Sequence, residues 1–300
     1  MGAAAARGRA SLLLSQRINA NTGKKMERKQ YRTKKGTIVY WTSVPEAEVV
    51  GASQPPLTLV FLPGLTADHR LFDRQLSYFR ERYRLLVWDA PGHGESRPFD
   101  LHFSLMDEAG WLHEILEKEK IARSVLVGQS MGGYVAQCFL QRWPDGAAGF
   151  VAIDSAPLQR KYVTAAEIWL LRRMEPFYRL YPWESLKKAG ADGCAETAEG
   201  RRLMRSFAEG YDKTAYCALA GSGYRRLAEA FAADLPYRIA CPALLLCGEK
   251  DRAGSTKRYN RRWTKEAGLP LVWIKGAGHN SNTDRPEEVN RLIDAFAAKL

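Results

Sequence analysis

Residues 125–133 read VLVGQSMGG, a short apolar run followed by a glycine-rich turn. The apolar residues after the turn have helical spacing, so the stretch predicts a strand, a sharp turn and a helix. A serine in such a turn is strained, and neighbouring side chains would collide, so Gly128 and Gly132 leave the space that it needs. We predict that Ser130 stands above a sheet on a nucleophile elbow. The backbone N–H of Met131, at the helix N-terminus, is a candidate oxyanion donor.

Taken alone, this motif is also compatible with a turn that only packs a helix against a strand. From residue 37 onward, however, short β-rich runs alternate with helical patterns. This alternation predicts an α/β fold with a mainly parallel central sheet flanked by helices. The expected strands are Thr37–Trp41, Leu57–Leu62, Arg84–Trp88, Ser124–Val127, Gly149–Ile153, Ala243–Cys247 and Leu271–Ile274. The expected helices include Arg70–Arg82, Asp107–Lys120, Met131–Arg142, Ser255–Glu266 and Glu287–Lys299.

The alternation stops between Ile153 and Ala243, where only helical patterns rich in aromatic residues occur. Ligands of open α/β sheets bind at the carboxyl edge of the strands, so we expect this insertion to cover that edge. Most of its aromatic side chains are expected to form its own core, and a few to face a pocket. The helices expected there are Thr164–Leu180, Ala198–Gly210, Thr214–Leu219 and Arg225–Ala233.

Positive charge is concentrated at the N-terminus. The formal net charge is +12, and residues 1–35 hold ten Lys and Arg side chains against one acid, Glu27. The remainder is close to neutral and has no basic stripe, so a nucleic-acid or membrane-surface role would rest on this segment alone. We predict neither partner, and binding of the basic segment to an anionic surface is the alternative. We predict a basic leader without regular structure over residues 1–35. Residues 1–25 also resemble a transit peptide in composition, and Met26 would be a sensible alternative start.

The cysteines are five in number and have no metal-ligand spacing. An odd number of unclustered cysteines is most simply explained by reduced thiols, which predicts a cytoplasmic location and no metal site. No apolar run approaches the roughly 18 residues of a membrane-spanning helix. The composition does not indicate an oligomeric state.

Three further motifs follow predicted strands: LPGL at residues 62–65, GEKD at 248–251 and GAGH at 276–279. Together with the serine turn they resemble, over residues 37–300, the α/β-hydrolase fold family with a helical cap, in which the triad occurs in the chain order Ser, Asp, His. The resemblance implies two core parts and an inserted helical cap, which follow the leader predicted from composition. Their expected bounds are 1–35 for the leader, 36–154 for the first part of the core, 155–238 for the cap and 239–300 for the second part of the core.

The resemblance assigns each catalytic role to a residue. The Ser130 hydroxyl must lose a proton as it attacks, and His279, which titrates near neutrality, would take that proton and pass it to the leaving group. Asp251 would fix the imidazole tautomer and stabilise the imidazolium. The backbone N–H groups of Leu65 and Met131 would hold the oxyanion.

Other acids and histidines are alternatives to this assignment. Asp154 also follows a strand, and some members of the family place the acid there; Asp89 ranks third because it precedes the serine. We expect His93, in a glycine-rich turn, to be structural, and His69 is a candidate for the pocket rim. His102 and His113 are expected on a loop and on a helix face.

The function that the resemblance implies is a serine hydrolase, of carboxylesterase type, acting on a small and fairly apolar ester without a cofactor. Serine at the elbow argues against dehalogenase and epoxide hydrolase chemistry, for which the family uses Asp there. Lactones, thioesters and C–C bonds are alternative targets of the same triad, because substrate choice depends on the cap. A small-molecule receptor that retains the triad is the alternative from another class.

Overall fold

Short apolar runs build one central sheet of eight strands. The computed structural model describes residues 26–43 and 56–300. The strands are β1 (Glu27–Arg32), β2 (Thr37–Ser43), β3 (Thr58–Leu62), β4 (Arg84–Trp88), β5 (Ser124–Gln129), β6 (Gly149–Ile153), β7 (Ala243–Gly248) and β8 (Leu271–Ile274). Their spatial order is β1-β2-β4-β3-β5-β6-β7-β8. Pairing is parallel from β4 to β8 and antiparallel at β1–β2 and β2–β4.

Helices cover both faces of the sheet. They are α1 (Asp73–Phe79), α2 (Leu105–Lys118), α3 (Met131–Arg142), α4 (Ala165–Leu171), α5 (Met174–Leu180), α6 (Trp183–Cys194), α7 (Ala198–Glu209), α8 (Lys213–Ala233), α9 (Thr256–Ala267), α10 (Ser281–Asp284) and α11 (Pro286–Ala297). One core cluster joins the sheet to α2, α3 and α9, and a second joins its other face to α1 and α11. Every residue of β3, β5, β6 and β7 is buried, as expected for strands covered on both faces. The predicted fold class is confirmed.

The predicted leader is wrong at its C-terminal end. Glu27–Arg32 forms β1, which pairs antiparallel with β2 at the edge of the sheet. An edge strand is held by backbone hydrogen bonds and tolerates charged side chains. The polar sequence of β1 therefore has no apolar pattern from which a strand could be predicted. Two of its side chains are also bound, since Lys29 and Tyr31 contact Glu119 and Glu114. Residues 1–25 lie outside the described residues, so the predictions made for them stay untested.

The segment between β6 and β7 is helical, and we call residues 155–238 the cap, whose limits remain a prediction. The two helices predicted over residues 214–219 and 225–233 are one continuous helix, α8. Its glycines allow close approach: a Cβ at Gly223 would lie 2.4 Å from the Leu65 side chain. Helix α6 was not predicted, because its lysines and glycines obscure the apolar spacing. In the described part of the chain, no helix is long and apolar enough to cross a membrane.

Candidate active site

Ser130 occupies the sharp turn between β5 and α3, with φ 49° and ψ −115°. This conformation is sparsely populated for residues with a side chain and costs about 1–3 kcal/mol. The turn is possible because glycines surround it. A Cβ at Gly132 would lie 1.9 Å from the carbonyl oxygen of Leu62, and one at Gly128 would lie 2.5 Å from the backbone of Gly132. The strained turn leaves Ser130 partly exposed at the carboxyl edge of the sheet.

Three side chains that are far apart in the sequence meet at this turn. His279 Nε2 lies 2.8 Å from Ser130 Oγ, and His279 Nδ1 lies 3.0 Å from Asp251 Oδ2. Asp251 and His279 are both buried. The arrangement is that of a nucleophile, a base and an orienting acid in one hydrogen-bonded line.

The direction of these hydrogen bonds follows from the chemistry of the partners. A carboxylate only accepts, so Nδ1 of His279 donates to Asp251, and the neutral ring then carries its lone pair on Nε2, facing Ser130. Burial alone would lower the pKa of His279, but the charge and hydrogen bond of Asp251, with a further contribution from Asp154, raise it above its usual value. The ring is therefore a stronger base than an ordinary buried histidine.

The acid and histidine loops are held together by their backbones. A Cβ at Gly248 would lie 1.9 Å from the carbonyl oxygen of Gly278, and Lys250 N–H donates to the carbonyl of Ala277 at 2.8 Å. Asp251 Oδ1 accepts from the backbone N–H of Ala253 at 2.7 Å. These contacts fix the distance between the acid and the imidazole.

Asp154, the alternative acid, is buried, and its hydrogen bonds lead away from the imidazole. Its carboxylate accepts from the backbone N–H of Gly248 at 2.6 Å and from both the N–H and the hydroxyl of Ser281 at 2.8 and 2.7 Å. Burial and the charge of Asp251 raise its pKa. Asp154 thus ties the end of β7 to the residues that follow His279.

Asp89 and His69 form a separate pair. His69 Nδ1 and the His69 backbone N–H lie 2.9 and 2.7 Å from Asp89 Oδ1, and the His69 ring packs on Trp41 at 3.8 Å. The second carboxylate oxygen of Asp89 accepts from the backbone N–H of Glu95. Asp89 therefore stabilises the turn that follows β4. His102 is exposed beside Asp100, and His113 of α2 stacks on Trp143.

The two candidate oxyanion donors, Leu65 and Met131, line the same small cavity of about 10 Å³. His93 lines it too and is buried; burial and the nearby Arg226 lower its pKa to about 4, so the ring is neutral at pH 7. Nδ1 of His93 donates to the carbonyl of Pro91 at 3.1 Å. This environment agrees with the expectation that His93 has a structural role.

A buried ion pair on the far side of that cavity was missed by sequence reasoning. Glu108 of α2 and Arg226 of α8 lie 3.2 Å apart, and each side chain is 2% exposed. Arg226 also lies over the Phe103 ring at 4.2 Å and donates to the Ser222 hydroxyl. Burial raises the pKa of Glu108 to about 7, although Arg226 opposes the shift. The pair joins the core to the cap beside the oxyanion loop.

Gln129 is a second residue that sequence reasoning missed. Its side-chain amide donates to the carbonyl of His279 at 2.8 Å and to Asn280 Oδ1 at 3.0 Å. A Cβ at Gly64 would lie 2.2 Å from the Gln129 amide oxygen. The residue before the serine thus connects the oxyanion loop with the histidine loop.

Cap residues reach the same region. The Thr66 side chain lies beside Tyr216, and the backbone N–H of Asn280 donates to the carbonyl of Cys194 at 2.8 Å. The hydroxyls of Tyr178 and Tyr224 are 3.0 Å apart. The cap therefore contacts both the oxyanion loop and the histidine loop.

Two clusters of the described residues bring metal-ligating groups together: Asp68, His69 and Asp89, and Asp154, Cys247 and Asp251. Their carboxylates already have protein partners, since Asp68 is paired with Arg70 and the other three accept the hydrogen bonds given above. Neither cluster indicates a metal, and the expectation of a site without metal or cofactor stays a prediction.

Comparisons with known proteins identify the family to which this chain is similar. A family model described as "Alpha/beta hydrolase family" matches residues 59–292. (E)-2-((N-methylformamido)methylene)succinate hydrolase of Acinetobacter baylyi is 27% identical over 259 residues, covering 80% of this chain and 89% of that protein. 3-Oxoadipate enol-lactonase 2 of the same species is 23% identical over 257 residues, covering 81% and 89%. The solved structure of a thermophilic esterase from Thermogutta terrifontis has a TM-score of 0.73 at 19% identity, covering 92% of this chain and 99% of that one.

Proposed function

The chain belongs to the alpha/beta hydrolase family and is a hydrolase, and from this premise we propose that it cleaves small, fairly apolar esters through an acyl-enzyme on Ser130. One observation carries the proposal. The imidazole of His279 stands between Ser130 Oγ, at 2.8 Å, and Asp251 Oδ2, at 3.0 Å. A general base needs that reach to the proton that it removes, and an orienting group behind it.

In this mechanism Ser130 Oγ attacks the carbonyl carbon as His279 Nε2 takes its proton. The backbone N–H groups of Leu65 and Met131 stabilise the oxyanion, and one such donor typically contributes about 3–4 kcal/mol in the transition state. His279 then protonates the leaving alcohol. Water, deprotonated by His279, attacks the acyl carbon. As the bond between the acyl group and Ser130 Oγ breaks, His279 returns the proton to that oxygen, and the acid is released.

A neutral substrate is supported by the groups that the cap brings near the site. Tyr216 lies beside Thr66, next to the oxyanion loop, and burial raises its pKa to about 12, so the phenol is uncharged. Arg226, the cation among the residues that line the small cavity, is already paired with Glu108. An aromatic ring with a neutral hydroxyl beside a paired cation favours an uncharged acyl group over a carboxylate.

A lactone is the second candidate substrate. One relative is named an enol-lactonase, and a lactone is a cyclic ester that opens by the same attack, with the leaving hydroxyl still attached to the acyl group. Esters and lactones of equal carbon number therefore test whether the site prefers a departing or a tethered alcohol.

A fluorophosphonate probe tests the nucleophile directly. We expect the intact mass of the wild type to rise by one phosphonyl group and the label to be on Ser130. Ser130→Ala should not react, whereas Ser206→Ala, a control in the cap whose hydroxyl only donates to the Leu203 carbonyl, should react like the wild type. A folded wild type that stays unlabelled would contradict the proposal.

A panel of p-nitrophenyl esters of graded acyl length, run beside matched lactones, tests the substrate class. We expect continuous turnover with a preference for short to medium neutral acyl chains. A single stoichiometric burst without turnover would instead identify a hydrolase-like receptor.

A further inference from the structure

Exposed apolar side chains are concentrated in one part of the cap. Among the described residues, seven large hydrophobic side chains are more than a third exposed, and five of these seven fall between residues 169 and 181. Single exposed apolar residues need no explanation, but several within one short segment of the chain indicate an interaction surface. The five are Trp169, Leu170, Phe177, Leu180 and Tyr181, with exposures of 54, 44, 44, 79 and 53%.

Helix α5 turns its apolar side outward. Phe177 and Leu180 are spaced i and i+3, so they share one side of the helix, and Tyr181 follows directly at its C-terminal end. None of the residues of α5 is buried. On its inward side, Tyr178 packs against the cap cluster around Tyr216 and Cys217, and Glu175 packs against Gly221 of α8. A surface helix of a monomeric globular protein keeps its large apolar side chains on the inward side, so the outward position of Phe177 and Leu180 is unusual.

Two cations lie within this surface. Arg172 and Arg173 are exposed between α4 and α5, and neither forms an ion pair with any described residue. The Arg173 guanidinium lies over the Trp169 ring at 4.3 Å. Aromatic and leucine side chains beside arginines are typical of surfaces that enter the headgroup layer of a membrane, where Trp and Tyr rings settle and arginine meets phosphate.

We propose that these seven residues, the five apolar ones together with Arg172 and Arg173, form an interfacial patch by which the protein docks on an anionic phospholipid bilayer. The apolar side chains would enter the headgroup layer while the arginines pair with lipid phosphates. The patch would bind at the surface of the bilayer, and no part of it would cross the bilayer. It replaces the expectation that the chain has no membrane partner, and the binding does not depend on the chemistry proposed for Ser130.

A lipid surface fits this patch better than a second copy of the chain. In a two-fold dimer the same patch meets itself, so four arginines would enter one contact, and none of the seven patch residues is an acid that could pair with them. Like charges brought together in this way oppose association. Most of the net charge of +12 lies in residues 1–35, so the preference for anionic lipid rests on Arg172 and Arg173 themselves.

Co-sedimentation of the full chain with vesicles tests the proposal. We expect binding to phosphatidylcholine vesicles that contain about 30% phosphatidylglycerol, and much weaker binding to pure phosphatidylcholine. Phe177→Ser with Leu180→Ser should lower the partition coefficient about tenfold or more, because two apolar side chains no longer leave water. Arg172→Gln with Arg173→Gln should remove most of the preference for the anionic vesicles. Tyr78→Ser and Leu235→Ser, at the two exposed apolar positions outside the patch, are matched controls that should bind like the wild type.

Ser130→Ala should bind vesicles like the wild type, which separates this proposal from the proposed function. Unchanged thermal melting of the patch variants confirms their folding. Three results would overturn the proposal: equal losses for the patch and control variants, loss of binding on deletion of residues 1–25 with no effect of the patch variants, or a wild-type dimer that the Phe177 and Leu180 changes convert to a monomer.

Discussion

Two parts of the protein differ in how their side chains are held. One is the base of the site, by which we mean the loops that carry Asp154, Asp251 and His279. The other is the outer cap, by which we mean helices α4 and α5. At the base, buried residues of three loops are joined by hydrogen bonds, as Asp154 shows by binding Gly248 and Ser281. In the outer cap, α5 buries no residue and Leu180 is 79% exposed. A triad needs fixed distances, whereas a surface that meets substrates or membranes needs accessible groups. Changes at the base should therefore act on chemistry and folding, and changes in the outer cap on selection and binding.

The largest expected effect separates the two acids at the base. Asp251→Asn should lower kcat about 10⁴-fold, because the amide no longer fixes the imidazole tautomer. Asp154→Asn should leave kcat far less affected and should instead lower the free energy of unfolding by about 1.5–3 kcal/mol, since it weakens charge-assisted hydrogen bonds between loops. Steady-state kinetics and urea unfolding of both variants measure this. Equal losses of kcat, or the reverse order, would overturn the assignment of Asp251.

Two glycines test the contrast in packing. Gly132→Ala places a Cβ 1.9 Å from the Leu62 carbonyl oxygen, so it should destabilise the fold by at least about 4–5 kcal/mol or prevent folding. Gly193→Ala, in cap helix α6, meets no atom within 4 Å and should stabilise by about 0.5–1 kcal/mol, because alanine is the better helix former. The midpoints of urea unfolding of both variants measure these two changes in stability. A tolerated Gly132→Ala would mean that the elbow is less crowded than its geometry indicates.

The next largest effect on stability is expected at the ion pair between Glu108 of the core and Arg226 of the cap. Arg226→Met leaves Glu108 buried without its partner and should cost about 3–4 kcal/mol of stability. Because burial already raises the pKa of Glu108 to about 7, the loss should be larger at alkaline pH, where Glu108 is ionised, than at acidic pH, where it is protonated. The double change with Glu108→Leu should recover most of the loss. A double variant as unstable as Arg226→Met would show that packing, not the unpaired charge, is responsible.

The smallest expected effect is a shift in the pH dependence of kcat/KM. His279 acts as a base only when neutral, so kcat/KM should fall as pH drops through its pKa, which lies above the usual histidine value. Asp251→Asn removes the largest contribution that raises this pKa, so the residual activity should persist to lower pH. Asp154→Asn should move the profile the same way and less far. A profile that moves to higher pH in either variant would contradict the electrostatic argument.

The local part of the site could be predicted from the sequence. Ser130, Asp251 and His279 each follow an apolar strand within a short glycine-containing motif, and parallel strands bring their carboxyl ends to one edge. The structure brings these three side chains together in the expected order. Their catalytic roles remain a proposal for the experiments above.

The parts that could not be predicted depend on contacts across the fold. Glu108 and Arg226 lie 118 positions apart, and each is one of several charges on its helix, so nothing local indicates that they pair. Gln129 occupies a variable position of the elbow motif, and its partners follow β8. The strand β1 pairs through its backbone, which leaves no apolar pattern in Glu27–Arg32. Such features require tertiary geometry.

The left-handed backbone of Ser130 has a consequence for the evolution of this protein. The conformation that presents the hydroxyl, φ 49° with ψ −115°, is one that glycine would adopt without strain. Ser130→Gly should therefore abolish hydrolysis and yet make the protein more stable, by about 1 kcal/mol. Selection for a faster hydrolase and selection for a more durable one act on this residue in opposite directions.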